Sequence, residues 1–338
     1  MKRHKNKKRK WKVLLFFQIF FLLLLLIGGY LLYLVDQIPR SSISSDLAQV
    51  ASPGRFRNIA IFGLDGDGSG TGGDRSDSIM VMSINRRNGQ VQLFSVLRDT
   101  VMQQRGGNYS KANAAFARGG AEDAIWMLNR NLDLDIESYL MVNYNSLAYM
   151  VDILGGIEVD LSLEEINEMN RHVFNTAEVM GAPDVPFLDP AHTGVQTING
   201  IQAVTYSRIR KGVGDDFARA ERQREVLSKI MRKSVTAGPI KWNQMVRQVA
   251  PTIQTNLSTL DMGLVGVSIL RMNQGETLQY PIDVATGNVS GLRGSFVIPV
   301  NVANNVRQLH EFLFGTIDYQ PSSTVQQISS DITSMTGR

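Results

Sequence analysis

The sequence predicts an α/β domain with a central mixed β-sheet flanked by helices, preceded by one N-terminal transmembrane helix. Three observations carry that reading. Between Asn58 and Thr100 apolar runs are bounded by Gly, Asn and Asp, and runs of about four to eight such residues are the usual strand signal. Further along, strand-like and helix-like stretches alternate, which points to helices packed on a sheet. Residues 13–35 form a nearly unbroken apolar run, and roughly 20 apolar residues suffice to cross a bilayer.

The N-terminal elements follow from charge and length. The first dozen residues carry eight Lys or Arg and no acid. Dense positive charge holds that flank in the cytoplasm. Residues 1–12 are therefore read as a cytoplasmic basic head and 13–35 as the anchor. A cleavable signal would have a core of roughly 7–15 residues and a small-residue cleavage site, and the stretch Leu34 to Pro39 offers none. The expectation is an uncleaved, single-pass type II protein of the cell membrane. Residues 36–56, with paired serines and Pro53-Gly54, read as a polar stalk. Residues 57–338 are then an extracellular domain.

Composition narrows the function classes. Formal charge is +4, and without the eight basic residues of the head the remainder stands at about −4, so no basic footprint for nucleic acid covers the folded part. The absence of cysteine excludes disulfides, thiolate zinc sites and cysteine nucleophiles.

The first charged cluster sits at strand ends. A buried strand, Ile59 to Leu64, ends in Asp65; a glycine-rich loop follows; a second strand opens just after Asp77; a third ends in Arg98-Asp99-Thr100. Ligands of open α/β sheets bind at the carboxyl ends of strands. Asp65 and Asp77 with Arg75 and Arg98 suggest a cation together with a multiply charged anion, as in a metal–phosphate complex. An exposed hairpin loop is the plain alternative. Calcium is a second one, since Asp65 to Gly70 imitates the start of an EF-hand loop, but Ser76 stands where the bidentate carboxylate belongs. The loop has no Walker-type lysine-serine pair.

The remaining elements are read in order. Ala121 to Leu132 is a helix, SYLMVNY a strand, SLAYMVDILGG a glycine-closed helix and IEVDL a strand. Residues 162–195, with three prolines, read as an irregular surface excursion. Asn199 caps a short helix through Tyr206, with Arg208 and Arg210 just beyond it. Asp215 or Asp216 caps a further helix carrying Arg219, Arg222 and Gln223 at spacings of three and four, which share a face. A solvated amphipathic helix would look the same, but the adjacent Arg-x-Arg favours phosphate, which the planar guanidinium fork matches. The tail adds strands near 278 and 295 and a helix bearing His310, read as packing or surface. The four histidines lack metal-ligand spacing, and no Gly-x-Ser-x-Gly elbow occurs.

These motifs together, FGLD, RSDSIMVMSIN, LFSVLRDT, KANAAFARGG, MVDILGGIEVDL, NGIQAVTYSRIR and DFARAERQREVL, resemble the LytR–CpsA–Psr family of cell-envelope proteins over about residues 57–235. The resemblance implies a phosphotransferase moving an anionic glycopolymer, such as teichoic acid or capsular or secondary wall polysaccharide, from undecaprenyl pyrophosphate to peptidoglycan, with pyrophosphatase activity in some members. It implies Mg²⁺, or Mn²⁺ in its place, held by Asp65 and Asp77. Arg75, Arg98, Lys111, Arg208, Arg210, Arg219, Arg222 and Gln223 then face the pyrophosphate, and Arg98, Asp99 and Asp77 are the catalytic candidates. Asp99 is either a base or a brace for Arg98. Lys111-Ala112-Asn113 departs from the commoner Lys-Ile-Asn, and the Gly66 to Gly73 loop is longer than usual. The implied partners are the lipid-linked glycopolymer, peptidoglycan and the membrane, with no nucleic acid. Two rival readings are a non-catalytic polyprenyl-phosphate lipid-binding module and an envelope scaffold.

Overall fold

The computed structural model describes residues 30, 33, 36, 38–43, 46–48, 54–64, 76–210, 216–270 and 277–337. Asp65, Arg75 and most of the predicted span 13–35 lie outside the described residues. Among the described residues no helix is long and apolar enough to cross a membrane.

A six-stranded mixed sheet organises the domain, in the order β10-β3-β2-β1-β6-β9. Its strands are β1 (Phe56–Leu64), β2 (Ser76–Asn85), β3 (Val91–Val96), β6 (Ser138–Val142), β9 (Gln254–Thr255) and β10 (Thr277–Tyr280). β2 runs antiparallel to both β1 and β3, so those two run the same way. β6 is parallel to β1 and β10 is parallel to β3. Four strands therefore end on one edge of the sheet, where β2 begins.

Strand alternation sends side chains to two different layers. On one face Ala60, Phe62, Val81, Phe94 and Val96 pack with α1 (Asn113–Leu132), α8 (Val302–Phe314) and α9 (Ser323–Thr336). On the other, Ile59, Ile61, Met80, Met82 and Leu93 meet Leu227 and Met231 of α5 (Asp216–Val235). A helical lobe adjoins that second face, with its own core of Val151, Leu154, Ile166, Met169, Tyr206 and Val226. It comprises α2 (Tyr144–Leu154), α3 (Leu163–Val179), α4 (Gly200–Arg208), α5 and the antiparallel pair β7 (Ile157–Leu161) and β8 (Gly194–Ile198). The remaining elements are β4 (Val101–Gln103), β5 (Tyr109–Lys111), α6 (Pro239–Val249), α7 (Thr259–Leu270), β11 (Val284–Asn288) and β12 (Ser295–Pro299).

Two expectations change. The excursion expected over 162–195 begins with seventeen helical residues. Ser162 and Glu165 form a reciprocal capping box, and Ile166, Met169, Val173 and Ala177 bury one stripe, so the irregular part starts only after Val179. The described parts of 36–56, expected as a stalk, lie against the domain. Ile38 and Leu47 are buried, Leu47 O accepts from Asn129 Nδ2 at 2.9 Å, and Arg40 bridges to Thr255. Ile43 also packs against the core, and Ser41 N–H donates to the Thr255 carbonyl at 3.1 Å.

One close approach fixes the lobe. α4 opens on a capping box between Asn199 and Gln202, and Gly200 N–H donates to Asp152 Oδ1 at 2.7 Å. A Cβ on Gly200 would lie 2.4 Å from the Ala148 carbonyl oxygen. Only glycine lets α4 rest backbone-on-backbone against α2.

Candidate active site

The strand-end edge opens into a cavity of about 930 Å³ between the second sheet face and the helical lobe. β2 contributes Asp77, Ser78 and Met80 to its wall, β1 contributes Ile61, Gly63 and Leu64, and the β3 end contributes Arg98. α5 contributes Arg219, Gln223, Val226 and Leu227, the one face generated by spacings of four, three and one. Gly63 sits at a register shift between β1 and β2. A Cβ there would stand 2.9 Å from Ser78 Cβ, which accounts for glycine at this point of the wall.

The wall is graded. Asp77, Arg98, Arg208, Arg210, Arg219 and Gln223 cluster at the strand ends, and Ile61, Met80, Val142, Leu147, Val226 and Leu227 line the apolar part. Along α5 the change from Arg219 to Leu227 takes eight residues, about 12 Å of helix.

Asp77 is the hub of the charged part. Its Oδ1 takes a 2.8 Å bond from Arg98 Nη1, its Oδ2 lies 3.9 Å from Arg219 Nη1, and its carbonyl accepts from Arg219 Nη2 at 3.4 Å. Arg219 keeps only 6% exposure. Such a buried guanidinium is held in place by the groups it touches. Arg208 lies with its guanidinium carbon 4.6 Å from the Tyr144 ring centroid and donates to Thr176 Oγ1 at 3.5 Å. Gln223 Nε2 donates to the Ser207 carbonyl at 3.4 Å, tying α5 to α4.

Three predicted residues stand behind this surface. Arg222 donates to the Ile209 carbonyl at 3.0 Å and pairs with Glu165 at 3.3 Å, beneath the Arg208-x-Arg210 turn. The helical spacing explains it: residues 222 and 223 diverge by about 100° around the axis, so Gln223 reaches the cavity and Arg222 its backing. Lys111 Nζ pairs with Asp99 Oδ1 at 3.0 Å, and Asp99 Oδ2 lies 4.0 Å from Arg98 Nε. Both Lys111 and Asp99 sit beside Arg98, off the cavity wall. The result is a chain of alternating charges from Lys111 through Asp99, Arg98 and Asp77 to Arg219.

Sequence reasoning missed Tyr144, Thr176, Glu165 and Tyr206. Burial raises the Glu165 pKa, but hydrogen bonds from Ser162 and the charge of Arg222 outweigh it and hold the carboxyl below its ordinary value. Burial, then Glu225, pushes the Tyr206 hydroxyl well above the usual range, so it stays a neutral donor to Glu225 at 2.8 Å. The Ser162-x-x-Glu165 box was a readable signal for α3; Tyr144 carried none.

Among the described residues no group of three His, Asp or Glu is arranged to hold a metal. Mg²⁺ needs only one or two carboxylates when substrate phosphates supply further oxygens. Asp77 meets that need, and the neighbouring Ser78 Oγ is buried with no hydrogen-bond partner among the described residues. The donor set fits a hard cation shared with a phosphate ligand.

A model of the LytR_cpsA_psr family matches residues 40–304. The chain belongs to that family. Relatives of the chain include the polyisoprenyl-teichoic acid–peptidoglycan teichoic acid transferases TagV and TagU of Bacillus subtilis strain 168. TagV is 24% identical over 93% of this chain and 80% of its own length, and TagU is 27% identical over 76% and 82%. Biofilm regulatory protein A of Streptococcus mutans is 31% identical over 54% of this chain and 44% of its own length. Among solved structures, protein gbs0355 from Streptococcus agalactiae matches with a TM-score of 0.63 at 23% identity, over 80% of this chain and 92% of that one. B. subtilis TagV matches with a TM-score of 0.60 at 22% identity, over 80% and 100%. These likenesses show that the family's mixed-sheet fold is this chain's fold.

Proposed function

We propose that this protein is a membrane-anchored cell-envelope transferase that moves a glycopolymer from a polyprenyl-pyrophosphate carrier to peptidoglycan. One observation carries the reading: a single cavity wall passes from an arginine cluster around Asp77 to an apolar lining. A pyrophosphate joined to a hydrocarbon chain has that same polarity profile. The names of TagV and TagU as teichoic acid transferases support the reaction class, and a TagT structure bound to LIIa-WTA, at a TM-score of 0.57 and 18% identity, supports the ligand class.

In the proposed reaction a sugar hydroxyl of the acceptor attacks the phosphorus that bears the glycopolymer. The new O–P bond forms as the bond to the lipid phosphate breaks, polyprenyl phosphate leaves, and the hydroxyl proton passes to solvent at the open mouth. Transfer of this kind needs positioning and charge stabilisation more than covalent work. Arg98 and Arg219, fixed by Asp77, and Arg208, braced by Tyr144 and Thr176, meet the charge that spreads over the phosphates. Asp99, facing Lys111 and Arg98, braces Arg98. Asp77, with Asp65 as the predicted second carboxylate, would hold Mg²⁺, which when bound neutralises further phosphate charge.

The test uses the full chain in proteoliposomes with a polyprenyl-pyrophosphate glycan and a peptidoglycan acceptor, with and without Mg²⁺, beside Arg98→Ala. Glycan on the acceptor, lost in the variant and without metal, is the expected result. Lipid binding without any turnover would replace the enzyme reading with that of a lipid-binding module.

A further inference from the structure

One wall of the cavity is neither apolar nor part of the arginine cluster. It is α3, which presents Glu164, Asn167, Glu168, Arg171, His172 and Asn175 to the cavity. Their spacings of three and one repeat over three turns, so they form one continuous strip, about 16 Å long from Glu164 to Asn175. The face opposite, Ile166, Met169, Val173 and Ala177, is buried in the lobe. α3 is therefore fixed from behind and polar toward the cavity.

The strip adjoins the arginine cluster at one end and the backing of that cluster at the other. Thr176, next to Asn175, accepts from Arg208 at 3.5 Å, and Glu165, next to Glu164, pairs with Arg222 at 3.3 Å. Within the strip Glu168 takes bonds from Arg171 at 2.8 Å and meets His172 Nε2 at 3.0 Å. Its two acids outnumber Arg171, its one permanent cation, so a second phosphate has little to gain there. What it offers is amides, carboxylate oxygens, an imidazole and a guanidinium, a mixed donor and acceptor set. Hydrocarbon would leave these groups without partners, which disfavours the lipid on this side. Uncharged rings bearing many hydroxyls satisfy them.

We infer that the exposed strip of α3 is a glycan subsite, which binds neutral sugar rings lying next to the pyrophosphate. This rests on the polyprenyl-pyrophosphate reading and deepens it. The sugars can belong to the donor, attached to the phosphate, or to the acceptor chain approaching it; both present the same hydroxyl-rich chemistry. The cavity would then sort its ligand by wall: hydrocarbon against the sheet and α5, phosphates at the arginines, sugars along α3.

The test compares the full chain in proteoliposomes with its Asn167→Ala/Asn175→Ala variant, neither residue being tied to the arginine cluster. Affinity is measured for bare polyprenyl pyrophosphate and for the same lipid carrying a neutral oligosaccharide, and the acceptor KM is measured in turnover. The inference expects about a tenfold loss, the scale of one or two hydrogen bonds, confined to the glycan-bearing donor or to the acceptor KM. Which of the two moves tells whose sugar the strip holds. Bare-lipid affinity stays within about twofold and reports that the variant is folded. Equal loss for both lipids, or no change in any of the three, overturns the inference while leaving the transferase reading standing. If the unaltered protein binds neither lipid, that reading falls and the subsite with it.

Discussion

On one face of the central sheet Phe62 and Phe94 are sealed under α1, α8 and α9. On the other, Ile61 and Met80, each one residue away from that core along β1 and β2, border the cavity. The first set meets ordered side chains on all sides, as with Phe62 against Phe116 at 5.3 Å between ring centroids. The second set packs with Leu227 and, together with Val226, also lines the open cavity. Identical strand chemistry thus serves a filled core on one side and a binding wall on the other, and substitutions on the two sides should fail differently.

The packed face should give the largest loss of stability. Phe62→Ala leaves a void in a layer that cannot collapse, expected to cost about 3–5 kcal/mol; urea unfolding measures it, and turnover per folded molecule should hold. At the charged end of the cavity the pattern reverses. Arg98→Ala should lower transfer by about 10²–10³, the cost of removing one donor aimed at developing charge, while the melting temperature stays near that of the unaltered protein. A comparable loss of fold would show that the Asp77 hub is structural. Met80→Ala tests the apolar wall, where no sealed void forms. Its stability cost should sit at the low end for such truncations, about 2 kcal/mol, and donor affinity should fall about tenfold for a long prenyl chain and little for a short one.

Acid titration offers the smallest and most selective contrast. His310, on the packed side, is buried, accepts no exposure to solvent that would favour its cation, and lies below its ordinary value of 6.5 mainly through that burial. The unfolded chain therefore binds the extra proton first, and stability should fall as pH drops through about 6.5. His310→Asn should flatten the slope between pH 7 and 5. Glu165, on the cavity side, is also depressed but from 4.5, so its contribution is complete above that value and is lost only at more acid pH. Glu165→Gln should leave the upper window unchanged and reduce the slope below it.

How much of this was legible follows from the range of the interactions. Strands β1, β2 and β3 and the cap of α4 are local patterns, while the cap expected for α5 at Asp215 lies outside the described residues; Asp77, Arg98, Arg208, Arg219 and Gln223 could be placed because strand ends and helix spacing fix where side chains emerge. The pairing of Arg222 with Glu165 joins residues 57 positions apart, and Lys111 with Asp99 depends on the β4–β5 hairpin; neither leaves a mark in a local window. The apolar wall was illegible for a different reason. Ile61 and Phe62 are both simply apolar, and only the helices above them decide which one meets space. α3 was misread because prolines at 183, 186 and 190 lent their irregularity to residues before them.

Gly200 shows how far such constraints reach. It touches nothing in the cavity, yet the α2 backbone stands where its Cβ would be. α2 begins at Tyr144 and α4 ends at Arg208, the two residues that stack at the cavity wall. A single methyl group at position 200 would pry those helices apart at one end and misalign the stack at the other. In a saturation mutagenesis screen scored by cell-wall output, this position would be as intolerant as an arginine of the site, and the screen alone would not say why.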